Sequence, residues 1–393
     1  MTPRYWSLFG ACLTQFTIIG LLVSYGVLVK ALEAEFGWSR TLLSAAASVS
    51  TVMMGFFAIA GGRLTDRFGP RIVLTVTGLA YGSGYCMLAY VSAPWQLFVV
   101  FGVFLAMGLG THDVVTLSTI ARWFQARRGI MSGVVKVGTA IGQIFVPPLM
   151  ALMFIWFGWR DATLYLGIVA TVLLLIAAQS MSAPQIAKTE GAHAPPQVGL
   201  SFEEAKRGRI FWTICIMQLL FFPTMMTIPL HIVPHGMDLG LAAPDAAVLV
   251  SAMGFSSIFG RLAVGAFADR IGGRNAYILC LTPVIIALCL LMFVREQWLI
   301  LAVMTLYGFG HGGLFTVVSP TVAEMFGMRA HGAIFGVVLF CGTIGGAIGP
   351  VVAGWVFDVT GGYDLAFGGL AALAALCLAL GLTLPSRHAP GRY

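Results

Sequence analysis

Three charged side chains lie within long apolar runs of the sequence, where a charge is costly unless it has a partner or a task. They are Asp113, Lys136 and Arg261, and His112 stands beside the first of them. Ionisable groups in hydrocarbon pair with one another, face water, or bind a ligand of opposite charge. Two embedded cations and one embedded anion therefore indicate an ion pair and a binding site for an anion.

The spacing of Asp113 and Lys136 favours a pair between these two residues. Asp113 precedes Gln125 by twelve residues and Lys136 follows it by eleven, on either side of a break between two apolar segments. An antiparallel helical hairpin would bring both side chains to a similar depth, and pairing lowers the cost of burying either charge. Two interpretations stay open. The pair is purely structural, or Lys136 faces a cavity and is released when substrate or a proton neutralises Asp113.

Arg261 has no carboxylate at helical spacing within its own apolar segment. The positions at that spacing hold Ser257, Ile258, Val264 and Gly265. A guanidinium so placed must face water or an anion, and its planar fork of donors suits a carboxylate in two-point contact. We therefore predict that Arg261 binds an anionic substrate. The alternative is a packing arginine that donates to backbone carbonyls.

His231 and His235 stand four residues apart in PLHIVPHG, which superficially resembles half of a metal site. Pro229 and Pro234 are expected to break the helical register there, and the glutamate of a metalloprotease helix is missing. We therefore expect no metal. His231 remains a candidate to line a cavity.

His311 lies among glycines in GFGHGG, and Tyr307 precedes it by four residues. Both are candidates to line a cavity, with simple packing as the alternative for each. No phosphate-binding loop and no Ser/His/Asp set appears in the sequence, so the protein is expected not to be an enzyme and to need no cofactor.

The surrounding sequence is too apolar for a water-soluble protein. Of its 393 residues 59% are apolar and 9% are charged, against about 25% charged in soluble domains. Segments long enough to cross a ~30 Å hydrocarbon core, about 20 residues each, recur throughout. We predict an all-α membrane protein with twelve transmembrane helices, near 6–29, 41–62, 72–93, 95–120, 129–157, 162–181, 210–234, 246–268, 275–294, 298–322, 332–357 and 365–385.

The distribution of basic residues predicts the orientation in the membrane. If both termini are cytoplasmic, sixteen Lys and Arg residues fall on cytoplasmic segments and four on the opposite face, namely Lys30, Arg40, Arg160 and Arg295. This asymmetry follows the positive-inside rule and predicts a multi-pass protein of the bacterial inner membrane. The net charge of +7 then reflects topology and contact with membrane lipid, and no nucleic-acid partner is expected.

An internal repeat divides the chain into two halves. The segment GRLTDRFGPR recurs 203 positions later as GAFADRIGGR, which matches Gly62, Asp66, Arg67 and Arg71 with Gly265, Asp269, Arg270 and Arg274. Transporters are often built from such duplications. We predict an N-terminal six-helix bundle at 1–181, a cytoplasmic linker at 182–209 and a C-terminal six-helix bundle at 210–393. Within the linker, Ser201 should cap a short helix together with Glu204.

The embedded charges do not follow this repeat. Asp113 corresponds to Thr316, Lys136 to Leu339 and Arg261 to Ala58. The duplication therefore carries the scaffold, whereas the chemistry belongs to single positions.

The paired G-x-x-x-D-R-x-G-x-R loops resemble the signature loop of the major facilitator superfamily. The resemblance implies two pseudo-symmetric six-helix bundles that rock about a central site. It also implies that the loop residues named above form a latch on the cytoplasmic side; the alternative is a plain turn that fixes topology.

Three further segments, Arg122-Trp123-Phe124, Gly158-Trp159-Arg160 and Gly260-Arg261-Leu262, look like the bacterial monocarboxylate transporter and oxalate/formate antiporter branches. In these families an arginine at the place of Arg261 binds the substrate carboxylate, and the resemblance makes His231 a credible cavity residue. Ser257 stands where animal monocarboxylate transporters carry an Asp, so a proton would have to be handled elsewhere, by Asp113, His231 or His311.

Together these observations favour a secondary transporter of small organic anions, with lactate-like monocarboxylates as the substrate class, by proton symport or anion exchange. The substrate would contact Arg261, Lys136, His231, Ser257, His311 and Tyr307. The protein is expected to act as a monomer. The alternative function is a proton-coupled exporter of neutral or drug-like solutes.

Overall fold

The computed structural model describes residues 2–124, 128–183, 199–327 and 329–386, and these ranges are almost wholly helical. The helices are α1 (Pro3–Phe36), α2 (Arg40–Phe68), α3 (Pro70–Leu88), α4 (Pro94–Val99), a π-helix (Val100–Leu105), α5 (Ala106–Trp123), α6 (Arg128–Ser180), α7 (Phe202–Arg207), α8 (Arg209–Asp238), α9 (Ala243–Leu291), α10 (Gln297–Phe326), α11 (His331–Thr360) and α12 (Asp364–Leu382).

These helices confirm the predicted fold class of an all-α membrane protein. Among the described residues, ten segments are long and apolar enough to cross a membrane. One of them, Met131–Ser180, covers two predicted spans, because the backbone of α6 breaks at Gly158. The helix α9 breaks in the same way at Gly272.

Glycines at the helix breaks and turns repeat the 203-residue offset of the sequence. Glycines of positive φ form three pairs at that offset: Gly37 with Gly240, Gly69 with Gly272, and Gly158 with Gly361. The second pair lies in the duplicated loop, where φ and ψ are 82° and 163° in the first copy and 78° and 159° in the second. Residues with a Cβ rarely adopt this backbone conformation. The repeat therefore extends from sequence to local structure.

The contacts divide the chain into two compact units. The first comprises Met1–Gln185, Ile228–Phe255 and Pro350–Gly362, and the second comprises Ile186–Thr227, Ser256–Gly349 and Tyr363–Tyr393. Helices α8, α9 and α11 thus contribute residues to both units. The division into bundles at 1–181 and 210–393 stays a prediction.

In the first unit, small residues let α1 and α6 approach closely. A Cβ on Gly138 would lie 2.3 Å from the carbonyl oxygen of Cys12, and a Cβ on Gly142 would lie 2.4 Å from that of Phe16. Contact between backbones is a common way for membrane helices to associate. It places the α1 face around residue 15 directly against α6.

The helix α8 runs through Pro229 and Pro234, so the predicted break of helical register is wrong. A proline removes one backbone N–H donor and leaves the carbonyl four residues earlier without its helical partner. For Pro234 this is the carbonyl of Leu230, and a Cβ on Gly26 of α1 would lie 2.8 Å from its oxygen. Membrane helices tolerate prolines where a neighbouring helix covers the interrupted turn in this way.

The predicted cap at Ser201 is confirmed. The Ser201 hydroxyl accepts a hydrogen bond from the Glu204 amide, and Glu204 Oε2 accepts one from the Ser201 amide at 2.7 Å. The Ser201 amide and hydroxyl together hold the pKa of the Glu204 carboxyl below its ordinary value. Just before the cap, the Leu200 amide donates to the Phe326 carbonyl at 2.8 Å, which joins the end of the linker to the end of α10.

Candidate functional site

Asp113 on α5 and Lys136 on α6 form an ion pair within the first unit. Lys136 Nζ lies 2.5 Å from Asp113 Oδ1. The two side chains are 28% and 41% exposed, respectively, so one side of the pair is open. His112 Nε2 lies 3.5 Å from the same carboxylate oxygen, and its Nδ1 lies 2.6 Å from the Leu109 carbonyl. The structure thus brings together the two embedded charges of the first half.

Gln15 on α1 supports this ion pair from its buried side. Its side-chain amide donates to Asp113 Oδ1 at 2.7 Å and to Thr116 Oγ1 at 3.2 Å. Its carbonyl oxygen accepts from the Thr139 hydroxyl at 2.9 Å. Because Thr139 donates to that oxygen, the amide nitrogen is directed at Asp113. Gln15 is 0% exposed and therefore ties α1, α5 and α6 together beneath the pair.

The sequence analysis missed Gln15 because it considered only ionisable groups within apolar runs. An uncharged amide in such a run also requires partners, since an unsatisfied amide in hydrocarbon is costly. Applied to 6–29, that criterion would have identified Gln15. It would not have identified its partners, which lie 98 and 124 residues away.

Arg261 lies on α9 in the second unit, where α9 and α10 are in close backbone contact. A Cβ on Gly260 would lie 1.9 Å from the Phe309 carbonyl oxygen, and one on Gly312 would lie 2.1 Å from that of Ser257. Ser257 is fully buried at this contact. The neighbouring glycines therefore fix the height of Arg261 relative to α10.

Tyr307, His311 and Phe315 lie at intervals of one helical turn along α10, and Phe315 is the one beside Arg261. The rings of Tyr307 and His311 lie 5.5 Å apart, those of His311 and Phe315 lie 5.1 Å apart, and the Arg261 guanidinium carbon lies 5.9 Å from the Phe315 ring centroid. Tyr307 is 0% exposed, and its hydroxyl donates to the Thr224 carbonyl at 2.8 Å. The structure thus brings the predicted site residues Tyr307 and His311 into one row with Phe315, which contacts the predicted residue Arg261.

His231 belongs to the first unit and is 1% exposed. Its Nε2 lies 3.2 Å from Ser44 Oγ and 3.1 Å from the Pro350 carbonyl oxygen. His235 follows one turn later on the same continuous helix. No group of three or more His, Cys, Asp and Glu residues suited to a metal ion occurs within the described ranges.

The predicted site residues therefore divide between the two units. Lys136, Asp113 and His231 lie in the first, whereas Arg261, Ser257, His311 and Tyr307 lie in the second. A common site that contains both Lys136 and Arg261 stays a prediction.

The duplicated loops are described in part. Arg71 Nη2 donates to the Gln179 carbonyl at 3.1 Å and so links the start of α3 to the end of α6. In the second copy, the Gly273 amide donates to Glu324 Oε2 at 2.7 Å. The chain is helical at Gly62 and Arg67 and at Arg270 and Arg274. The side chains of Asp66 and Asp269 and the surroundings of Gly265 lie outside the described residues, so the latch stays a prediction.

The sequence matches a protein-family model and is similar to known transporters. The model of the Major Facilitator Superfamily matches residues 8–295 and 234–392. Monocarboxylate transporter 13 of Rattus norvegicus is 27% identical over 353 residues, which cover 89% of this chain and 81% of that protein. The oxalate:formate antiporter of Oxalobacter formigenes is 25% identical over 371 residues, which cover 90% of this chain and 86% of that protein.

Solved structures show the same fold at low sequence identity. A crystal structure of the nucleoside transporter NupG superposes with a TM-score of 0.79 at 13% identity and covers 97% of this chain and 99% of that one. A bacterial homolog of the human lysosomal transporter Spinster, in an inward-facing and occupied conformation, gives a TM-score of 0.75 at 14% identity and covers 97% of both chains.

Proposed function

The chain belongs to the Major Facilitator Superfamily, and from that premise we propose that it is a secondary transporter of small organic anions, with lactate-like monocarboxylates as the substrate class. It is a multi-pass membrane protein and not an enzyme. The names of the relatives, monocarboxylate transporters and an oxalate:formate antiporter, support the substrate class. The positive-inside asymmetry supports an inner-membrane location with cytoplasmic termini.

The observation that carries the proposal is an intramembrane ion pair that is buried on one side and open on the other. Gln15 is fully buried, whereas Lys136 and Asp113 are 28% and 41% exposed. A purely structural pair is expected to be enclosed on all sides, because water weakens the attraction between its charges. The open side lets a carboxylate from solution compete with Asp113 for Lys136.

We derive the first step of transport from this competition. A substrate carboxylate that approaches Lys136 replaces Asp113 as the partner of the ammonium group. Asp113 keeps the hydrogen bond from Gln15 at 2.7 Å, so its carboxylate stays in position without the lysine. Arg261 supplies a second, two-point contact for the substrate. The net charge of the embedded site then changes only by the charge of the bound substrate.

The two coupling modes differ in what happens to Asp113. In proton symport, a proton binds to Asp113 while Lys136 holds the substrate, and the loaded carrier gains no net charge. In anion exchange, Asp113 stays ionised, and a counter-substrate must occupy the site before the carrier returns. Either mode uses alternating access by rocking of the two halves about a midplane site.

Uptake into proteoliposomes tests the proposal. Labelled lactate should be taken up and displaced by a panel of short carboxylates, but not by neutral solutes of equal size. Dependence on an inward proton gradient would identify symport, whereas dependence on internal carboxylate would identify exchange.

Arg261→Ala should abolish carboxylate uptake. Arg261→Lys should bind about ten- to a hundredfold more weakly, since it keeps the charge but loses the planar fork. Each variant is compared at equal amounts of reconstituted protein that elutes as a monodisperse peak. Uptake like that of the wild type in Arg261→Ala would refute the anion site and favour the exporter of neutral solutes.

A further inference from the structure

Arg40, the first residue of α2, is 1% exposed although it carries a charge at the end of a membrane helix. Its guanidinium donates to Asp238 through Nη1 at 2.5 Å and through Nη2 at 2.8 Å. It also donates to Glu33 at 3.0 Å and 3.3 Å. Lys30 Nζ lies 2.9 Å from the same Asp238. The charge of Arg40 is therefore compensated by carboxylates from α1 and from α8.

Asp358 of α11 caps the N-terminus of α2. Its carboxylate accepts hydrogen bonds from the Arg40 amide at 3.0 Å, the Thr41 amide at 2.9 Å and the Thr41 hydroxyl at 2.5 Å. The first amides of a helix have no partner within the helix, and the helix dipole attracts a negative charge to them. Ser39 is the local cap, whose hydroxyl accepts from the Leu42 amide at 3.2 Å, and the carboxylate of the distant helix supplies the partner for the two preceding amides.

The end of α11 also fits closely around Arg40. The guanidinium carbon lies 3.6 Å from the ring centroid of Phe357, in a cation–π contact. A Cβ on Gly354 would lie 2.7 Å from the Arg40 carbonyl oxygen. One turn deeper, Ser44 contacts His231 of α8, and His231 contacts Pro350 of α11. Helices of the second half of the sequence therefore hold the start of α2 on several sides.

We propose that the Arg40 cluster, defined as Lys30, Glu33, Arg40, Asp238 and Asp358, is the external gate of the transport cycle and is closed in this structure. The inference rests on the alternating access proposed above, in which α8 and α11 must part from α1 and α2 when the site opens outwards. Opening hydrates all five charged groups and removes the Asp358 carboxylate from the Arg40 and Thr41 amides. The cluster thus sets the ratio of the closed to the outward-open state.

The gate can be tested without substrate by labelling a thiol behind it. Ser48 lies one turn beyond Ser44 on α2 and is 7% exposed. In right-side-out vesicles, the thiol of Ser48→Cys should react slowly with a membrane-impermeant maleimide. Adding Arg40→Gln or Asp358→Asn should accelerate the reaction about tenfold or more, since each removes charged hydrogen bonds. Protein without Ser48→Cys gives the background from native cysteines.

Arg295 and Asp364 provide a matched control on the same predicted face. Arg295 Nη2 lies 2.9 Å and 2.8 Å from the two carboxylate oxygens of Asp364. Both residues belong to the second half of the sequence, so this pair need not break when helices of the second half part from those of the first. Arg295→Gln should leave the labelling rate unchanged.

A variant that keeps the charge separates gating from misfolding. If Arg40→Gln fails to fold, Asp358→Asn serves as the test, because its amide oxygen still accepts from Thr41. Arg40→Lys keeps a positive charge between Glu33 and Asp238, so in a folded protein it should be labelled more slowly than Arg40→Gln. Equal labelling in Arg40→Gln and Arg295→Gln, or labelling only from the cytoplasmic side, would overturn the gate. If the labelling behaves as expected but carboxylates are not taken up, the proposed substrate class is refuted and the gate is retained.

Discussion

The ion pair of Asp113 and Lys136 gives a quantitative prediction about folding energy. Removing one partner of a buried pair costs about 3–5 kcal/mol, because the other charge is left in a poor solvent. Asp113 is 41% exposed, so the remaining carboxylate is only partly enclosed, and we expect about 1–3 kcal/mol for Lys136→Leu. Asp113→Asn should cost a similar amount, because it leaves the Lys136 ammonium without its carboxylate.

The double variant distinguishes a real pair from two independent residues. Removing both charges leaves no stranded ion, so the loss should be smaller than the sum of the single losses by about 1–2 kcal/mol. Equilibrium unfolding of purified protein in mixed micelles of SDS and a mild detergent provides the four free energies of unfolding. The control pair is Glu203 and Lys206, whose side chains are 65% and 41% exposed. For Glu203 and Lys206, the same double-mutant cycle should give a coupling energy of less than about 0.5 kcal/mol. Strict additivity at Asp113 and Lys136 would refute the pairing.

Two further predictions concern packing and topology. Gly260→Ala should sharply lower the yield of folded protein, because its Cβ would lie 1.9 Å from the carbonyl oxygen of Phe309. Gly336→Ala has open space around the new atom and should not lower the yield. Equal yields of the two variants in gel filtration would contradict the contact. Cysteines introduced at 182–209 should be labelled only from the cytoplasm and those at 235–244 only from outside, and reversed labelling would overturn the orientation.

The helices themselves were predictable because each apolar run is long and bounded by charged or small residues. The single span predicted at 95–120 nevertheless contains the π-helix Val100–Leu105. Apolar content determines that a segment crosses the membrane, but it does not determine the width of each helical turn. The prolines of α8 mislead for a related reason, since Gly26 of another helix accommodates the interrupted turn.

The site was predictable only where its residues lie close in sequence. Asp113 and Lys136 are separated by one hairpin, so counting residues from Gln125 was enough to bring them together. Arg40 was assigned to the external face from its position between the first two predicted spans. Its partners on α8 and α11 lie 198 and 318 residues away, and no local pattern links them. The cluster is visible only once the helices are assembled.

The turn glycines have a consequence for the outcome of a saturation-mutagenesis library. Gly37, Gly69 and Gly158 have no other atom within 4 Å of the position of a new Cβ, so a search for steric conflict would rate all three as tolerant. Their backbones differ, however. Gly37 has φ 65° and ψ 22°, which asparagine also adopts, whereas Gly69 and Gly158 combine positive φ with ψ of 163° and 161°, a region almost restricted to glycine. Functional clones should therefore include asparagine at the first position and retain glycine at the other two.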